Sequence, residues 1–261
     1  MNGLQQIPCE DYLKIPALSK SGLDRLYRSP AHFNTPNPET KAMTIGAAFH
    51  AMTLEPEKWE RKFVVAAEGQ EFRSKADREW KALQEMESRS VLTYKDGAML
   101  QEMARSVLAH PAAKGLLSRA DMTEVSAIWT ADGVERKARF DAVLSREKII
   151  LEAKTTVTAH PDEFDREVFN RRYHWQAAWY LDAIEAVTGE TGWSFVWIAV
   201  EKTPPYPVAC YCPDAEMLDL ARQQYAPLVE LYRECTESGI WPAYPEKVQA
   251  LRLPAWARKE K

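Results

Sequence analysis

The feature that most constrains what this chain can fold into is the segment from Thr123 to Lys154, where three strand patterns follow one another with almost no chain between them. Glu124-Val125-Ser126-Ala127-Ile128-Trp129 reads as the first, Ala131-Asp132-Gly133 carries turn chemistry, and Val134, Arg136, Ala138, Phe140 and Ala142 then alternate with polar neighbours up to Leu144. These two runs predict a hairpin. The third run, Lys148 to Ala153, is short and continuously apolar in its middle, as a strand covered on both faces must be. Three adjacent strands of this kind need helices to cover them, and the rest of the chain supplies helical patterns.

Ser19 to Arg28 opens with serines suited to capping, carries Leu23, Leu26 and Tyr27 at helical spacing, and is interrupted at Ser29-Pro30. Pro36 and Pro38 mark a loop. From Thr40 a second helix runs to about Glu55-Pro56 through Gly46-Ala47-Ala48-Phe49-His50-Ala51-Met52, whose small residues permit close backbone approach and which places His50 inside the helix. Residues 73–89 and 95–108 are charged, helix-favouring stretches with sparse apolar stripes and predict surface helices. After the third strand come a helix from Arg172 to Val187, strands at Trp193–Val200 and Pro207–Cys212, and a terminal helix from Asp214 to about Glu237. The order predicts an α/β fold with a mixed sheet flanked by helices and a helical N-terminal part. We expect one domain over residues 1–261: a mainly helical part (1–120), a sheet–helix core (121–240) and an irregular, Pro- and Lys-rich tail (241–261) that ends in Arg258-Lys259-Glu260-Lys261.

Composition narrows the class of protein. At 261 residues and 46% apolar, the chain can bury one substantial core. No stretch approaches the roughly 20 apolar residues that span a bilayer, and Met1 to Glu10 has no signal-peptide pattern, so no membrane association and a cytoplasmic location are expected. Cys9, Cys210, Cys212 and Cys235 are too few and too irregular for a disulfide framework. The net charge of -4 argues against a protein that coats nucleic acid through its overall field, but it leaves room for an enzyme with a local basic lining.

The chemistry concentrates at Asp141 on the hairpin and Glu152-Ala153-Lys154 at the end of the third strand. If the strands are neighbours, the two carboxylates converge at one end of the sheet and can share a hard cation such as Mg²⁺ or Mn²⁺. Strand alternation sends Glu152 and Lys154 to one face, where a lysine can orient a water or neutralise developing charge. That is the minimum equipment for hydrolysing a phosphodiester, although the same three residues read alone also fit a solvated polar face. In the helix that follows, Gln176 and Tyr180 lie one turn apart on one face. Trp179 reads as core and Tyr180 as either core or site, whereas Gln176 is harder to place in a core.

Taken in order, Gly46-x-x-x-His50, Glu124, Asp141, Glu152-x-Lys154 and Gln176-x-x-x-Tyr180 resemble the PD-(D/E)xK nuclease superfamily, and within it the RecE-type exonucleases (exodeoxyribonuclease VIII-like) of phage and prophage recombination systems. The resemblance covers about residues 12 to 240, including Leu18-Ser19-Lys20-Ser21-Gly22-Leu23 and Arg172-Tyr173-His174-Trp175-Gln176. It implies a restriction-endonuclease-like sheet in which His50, Asp141, Glu152 and the backbone carbonyl of Ala153 bind Mg²⁺ or Mn²⁺. It further implies Lys154 as the catalytic lysine, Gln176 and Tyr180 as supports, and Glu124 at a second metal or on the substrate. Many relatives carry Asp where this chain has Glu152, a change that bears on metal position and preference. The activity implied is degradation of one strand of linear double-stranded DNA, 5′ to 3′, leaving a 3′ tail for a single-strand annealing partner, by a ring-shaped homo-oligomer with a tetramer favoured. A site-specific or structure-specific endonuclease and an inactive DNA-binding subunit are the alternatives on the same fold. Some related nucleases hold an iron-sulfur cluster with one cysteine before the histidine motif and three after the Gln-Tyr helix; the four cysteines here match in count and order but not in spacing. His174 is the one other histidine placed near the site, where it could contact DNA.

Overall fold

The computed structural model describes residues 3–253. The N-terminal part contributes β1 (Leu4–Gln5), α1 (Cys9–Lys14), α2 (Lys20–Arg28), α3 (Pro30–Phe33), α4 (Lys41–Leu54), α5 (Pro56–Lys62), β2 (Phe63–Val65), α6 (Lys75–Met86), β3 (Ser90–Leu92), α7 (Tyr94–Ala109) and α8 (Pro111–Leu117). The remainder contributes β4 (Met122–Ala131), β5 (Val134–Leu144), β6 (Ile149–Thr156), α9 (Pro161–Asn170), α10 (Tyr173–Thr188), β7 (Ser194–Glu201), β8 (Val208–Tyr211) and α11 (Ala215–Ser238). Strands β1-β4-β5-β6-β7-β8, in that order, form a six-stranded sheet in which only β6 and β7 run parallel. β2 and β3 pair in parallel as a separate ribbon.

Local chemistry sets the element ends. The Ser19 hydroxyl accepts from the Gly22 amide to start α2, the Thr40 hydroxyl accepts from Met43 to start α4, and Gly239 ends α11 in the left-handed region that a side chain disfavours. Asp132 and Gly133 both take positive φ, the backbone of a tight hairpin turn between β4 and β5.

Helices cover both faces of the sheet. On one face Phe164 and Val168 of α9, Trp175, Trp179 and Ile184 of α10, and Tyr225 and Val229 of α11 pack on Val125, Phe140, Ile150 and Trp197. On the other, Ile45 and Phe49 of α4 and Leu100, Met103 and Val107 of α7 pack on Leu144, Leu151, Ile198 and Val200. α10 buries residues 174–179 without a break, as a helix enclosed on all sides does. This is the mixed sheet flanked by helices that the strand order predicted.

α7 is the surface helix expected over the core: it buries the stripe of Leu100, Met103 and Val107 and exposes its other face. α6 buries nothing, as a surface helix should. α9 was not foreseen, and the mainly helical N-terminal part also holds short strands: β1 pairs with β4, and the β2–β3 ribbon packs against α5, α6 and α7. β6 runs on to Thr156, so Glu152 lies inside the strand and not at its end. In the tail, Trp241 stacks on Phe33 with ring centroids 5.2 Å apart and the Pro242 carbonyl accepts from the Ala31 amide, while residues 243–253 have no regular structure. The basic end from Arg258 falls outside the described residues.

α1 is held on the sheet by a buried lysine. Lys137 of β5 donates to the carbonyls of Tyr12 (2.9 Å) and Ile15 (2.8 Å), and its ammonium sits 4.7 Å from the centre of the Tyr12 ring. A cation at the C-terminal end of a helix satisfies carbonyls that have no partner in the helix. Lys137→Met should cost about 1–3 kcal/mol in a denaturant melt and expose the segment before Ser19 to proteolysis. An unchanged midpoint and digestion pattern would show that α1 is held otherwise.

Candidate active site

The site lies where the sheet splits. β4 and β5 pair in constant register, Thr123 with Ala142 and Val125 with Phe140, but Glu124 and Asp141 between them make no ladder pair. Glu124 has φ 51°, a conformation that costs energy for a side chain with a Cβ and persists only where its surroundings enforce it. Alternation breaks at this point: Phe140 enters the α10-side core, whereas Ala142 enters the α4-side core. β5 and β6 pair only from Ala142–Leu151 to Leu144–Ile149. Beyond that, a side chain takes over from the backbone, and Asp141 Oδ2 accepts from the Ala153 amide at 2.8 Å.

Each layer sends residues into the gap. Glu152 and Lys154 point toward α10, and Glu152 Oε1 accepts from Lys154 Nζ (2.7 Å) and from Gln176 Nε2 (2.6 Å). Glu152 Oε2 is buried without a hydrogen-bond partner. From the opposite layer, His50 of α4 sets Nε2 3.0 Å from the Ala153 carbonyl and Nδ1 3.4 Å from Asp141 Oδ1 and 3.9 Å from Glu124 Oε1. Glu124 Oε2 accepts from Arg139 Nε at 2.8 Å, and Arg139 also donates to the Ile7 carbonyl and the Ser126 hydroxyl. Tyr180 meets Phe140 edge-on at 5.1 Å.

Electrostatics follow from burying like charges together. Burial, then the neighbouring Glu152, push the Asp141 carboxyl up to about 7, against the opposing pull of His50. Burial alone would lower the pKa of His50, but Asp141, Glu152 and Glu124 together hold it above its usual value. Both of its ring nitrogens face oxygen acceptors, which fits the imidazolium form. Burial likewise works against the Lys154 ammonium, yet Glu152 and Asp141 keep it above the ordinary lysine value. Burial and then Glu152 raise the Tyr180 phenol, so it stays protonated and can only donate or accept a hydrogen bond.

The structure therefore brings together all the residues singled out in the sequence: His50, Glu124, Asp141, Glu152, Ala153, Lys154, Gln176 and Tyr180. Among the described residues, the one set of three or more His, Cys, Asp or Glu with ligand atoms within 4.8 Å of one another is His50, Glu124 and Asp141. Glu124 thus sits closer to the metal-type cluster than the sequence suggested, and Glu152 is drawn aside by Gln176 and Lys154. No cysteine belongs to that set. His174 is buried and is not a surface contact: it bonds Gln224 Oε1 at 2.8 Å. Sequence reasoning missed Arg139, Tyr12 and Tyr173. Arg139, two residues before Asp141 on an inward-facing strand, was the available signal.

Two connected clefts expose the site. One of ≈ 550 Å³ is lined by Glu124, Asp141, Glu152, Gln176 and Tyr180, with Lys20, Lys62 and Arg139. The other, ≈ 830 Å³, carries Lys41, Gly46, Arg171 and Lys202. They share His50, Lys154 and Tyr173, so one groove passes over the carboxylates, its lysines and arginines interleaved with Asp24, Glu55, Asp96 and Glu167. A sequence model of the family described as "PDDEXK-like domain of unknown function (DUF3799)" matches residues 19–254. The chain belongs to this family. Its fold is restriction-endonuclease-like, as the resemblance implied. Among solved structures it is similar to a protein from Eubacterium rectale named "Putative exonuclease", at 13% identity and TM-score 0.67 over 96% of each chain. A second structure, SSO0001, aligns at 15% identity and TM-score 0.31 over 77% of this chain and 89% of that one. No curated protein matches. Among the described residues no helix is long and apolar enough to cross a membrane.

Proposed function

We propose that this PDDEXK-like chain is a metal-dependent exonuclease that degrades one strand of linear double-stranded DNA. The observation that carries the reading is Glu152: a buried carboxylate with one oxygen fixed by Lys154 and Gln176 and the other without a partner, beside His50, Glu124 and Asp141. A buried oxygen in that state costs free energy unless a ligand satisfies it, and hard oxygen donors with one imidazole suit a divalent cation of the Mg²⁺ or Mn²⁺ type.

His50, Asp141, Glu152 and the Ala153 carbonyl would hold that cation, with Glu124 available to a second. Bound there, the cation would supply Lewis acidity at the phosphate and lower the pKa of a coordinated water. The chain's own groups do the rest. Gln176 locks the Glu152 rotamer so that Oε2 stays free, and Arg139 holds Glu124 beside the cluster. Lys154, 2.7 Å from Glu152, holds a positive charge beside the cluster, where it would orient a water or neutralise charge developing on a phosphate. Lys202, which lines the wider cleft with Lys154, would meet the phosphates of the strand.

The finer terms of the proposal are 5′ to 3′ polarity, Mg²⁺ as the working ion, a 3′ tail handed to an annealing protein in recombination, and a homo-oligomer, tetrameric by preference. They are supported by the order of motifs. The test is Mg²⁺-dependent digestion of one DNA as linear duplex and as closed circle, with strand-specific end labels. The expected result is loss of the linear form alone, 5′ label first, with Lys154→Ala inactive. Cleavage of the circle would redirect the assignment to an endonuclease, and no cleavage with Mg²⁺ or Mn²⁺ would overturn catalysis.

A further inference from the structure

A second surface adjoins the groove on the far side of Tyr173. Tyr27 of α2 is 58% exposed and Phe169 of α9 is 41% exposed, and both line a pocket of ≈ 310 Å³ with Arg172 and Trp175. Single exposed aromatics are ordinary on protein surfaces, but two in one pocket around a guanidinium are not. Arg172 lies 4.2 Å from the Tyr27 ring centre and 5.3 Å from that of Trp175. Arg172 precedes the first turn of α10 with φ 52°, a left-handed backbone that is uncommon for a residue with a side chain. Its one carboxylate neighbour, Asp24, presents Oδ1 at 3.6 Å, too long for a hydrogen bond, while Lys20 holds the other oxygen at 2.8 Å.

The pocket floor is fixed. Trp175 Nε1 can only donate, so the Gln224 atom it meets at 2.7 Å is the carbonyl oxygen, and His174 Nε2 must donate to the same oxygen. His174 in turn supports Phe169, with ring centroids 4.6 Å apart. A continuous track leads back to the active site, since Lys20 lies 5.7 Å from the Tyr173 ring centre and bonds the Arg171 carbonyl, while Lys154 lies 4.7 Å from the centre of the same ring.

We propose that the Tyr27–Arg172–Phe169 pocket is a stacking platform for an unpaired nucleotide of the DNA strand that runs through the groove. Exposed rings flanked by a cation bind bases through their faces, and a base offers its face only when it is out of the duplex. The proposal rests on the nuclease reading for the identity of the strand, and it adds a single-strand site outside the catalytic cleft.

The test measures binding of a fluorescein-labelled dT15 in Ca²⁺ and, in parallel, digestion of linear duplex in Mg²⁺, for the wild type, Tyr27→Ala, Phe169→Ala and Tyr27→Trp. Each alanine should weaken dT15 binding on the order of tenfold and raise KM with kcat unchanged, and Tyr27→Trp should restore both. Unaltered dT15 affinity in the alanine variants, with cleavage intact, would overturn the platform and leave the nuclease reading standing. Loss of dT15 binding in the variants of a wild type that cleaves nothing would uphold the platform and overturn the nuclease. A wild type that neither binds dT15 nor cleaves would overturn both.

Discussion

Glu152→Gln removes cleavage of linear duplex by a factor on the order of 10³ or more while the protein melts as a folded domain. The substitution is nearly isosteric. The amide oxygen can still accept from Lys154 and Gln176 at the 2.7 Å and 2.6 Å contacts that Glu152 Oε1 makes now. What changes is the partnerless Oε2, which becomes an NH₂ donor and repels any cation beside Asp141 and His50. Removing the charge from that buried position also lightens the repulsion on Asp141. Lys154 and His50 lose a counter-charge in exchange, so the variant should keep a cooperative melt while being far less active, a combination that misfolding cannot produce. Release of acid-soluble label against time, with a thermal melt on the same samples, makes the check. Activity within tenfold of wild type would remove Glu152 from the metal site and leave the His50, Glu124 and Asp141 cluster to act without it.

The sequence made the central strands legible because their cause is local. Alternation from Val134 to Phe140, turn residues at Asp132-Gly133 and the apolar run Ile149-Ile150-Leu151 are all written within a few residues of one another. The site residues were legible for a different reason: Glu152, Lys154, Gln176 and Tyr180 are polar residues at spacings that a strand and a helix convert to a shared face. What was not legible depends on three dimensions. Nothing in the pattern tells that alternation breaks at Asp141, because Phe140 and Ala142 are both apolar and both buried, only in different cores. α9 was missed because its ten residues bury only Phe164 and Val168, too short an apolar pattern to stand out between a strand and a longer helix. Arg139 stood in the sequence only as a polar neighbour in an alternating strand, and its bond to Glu124 spans β5 and β4 beside the one position where their ladder is interrupted. Long-range geometry of this kind is decided by packing, after the local preferences have been met.

Asp141→Asn should stabilise the metal-free protein at pH 8, and by an amount large beside ordinary surface changes. Burial and then Glu152 push the folded carboxyl up to about 7, whereas an unfolded aspartate titrates at 3.8. The folded form therefore binds the extra proton between those values, so stability falls as pH rises from about 4 to 7. The His50 shift has the same sign: its folded pKa is raised, so its stabilising charge is complete below its ordinary value and is lost as pH climbs through the raised one. Because the two groups share contacts at 3.4 Å, they titrate as a unit. Asparagine at 141 keeps an acceptor for the Ala153 amide but carries no charge, so the metal-free variant should gain about 1–3 kcal/mol at pH 8 and lose most of the pH slope. Mg²⁺ should then reverse the ranking. It binds the folded wild type and not the variant, adding about 2.7 kcal/mol at a hundredfold excess over Kd. Urea melts of both proteins at pH 5 and pH 8, in EDTA and in Mg²⁺, decide the matter. If the variant is the weaker protein in EDTA at pH 8, the carboxylates are structural partners of His50 and Arg139 and not a site whose repulsion a cation relieves. If the ranking reverses with Mg²⁺, the instability of the metal-free cluster is what its chemistry requires: charges held close enough to grip a cation must repel one another in its absence.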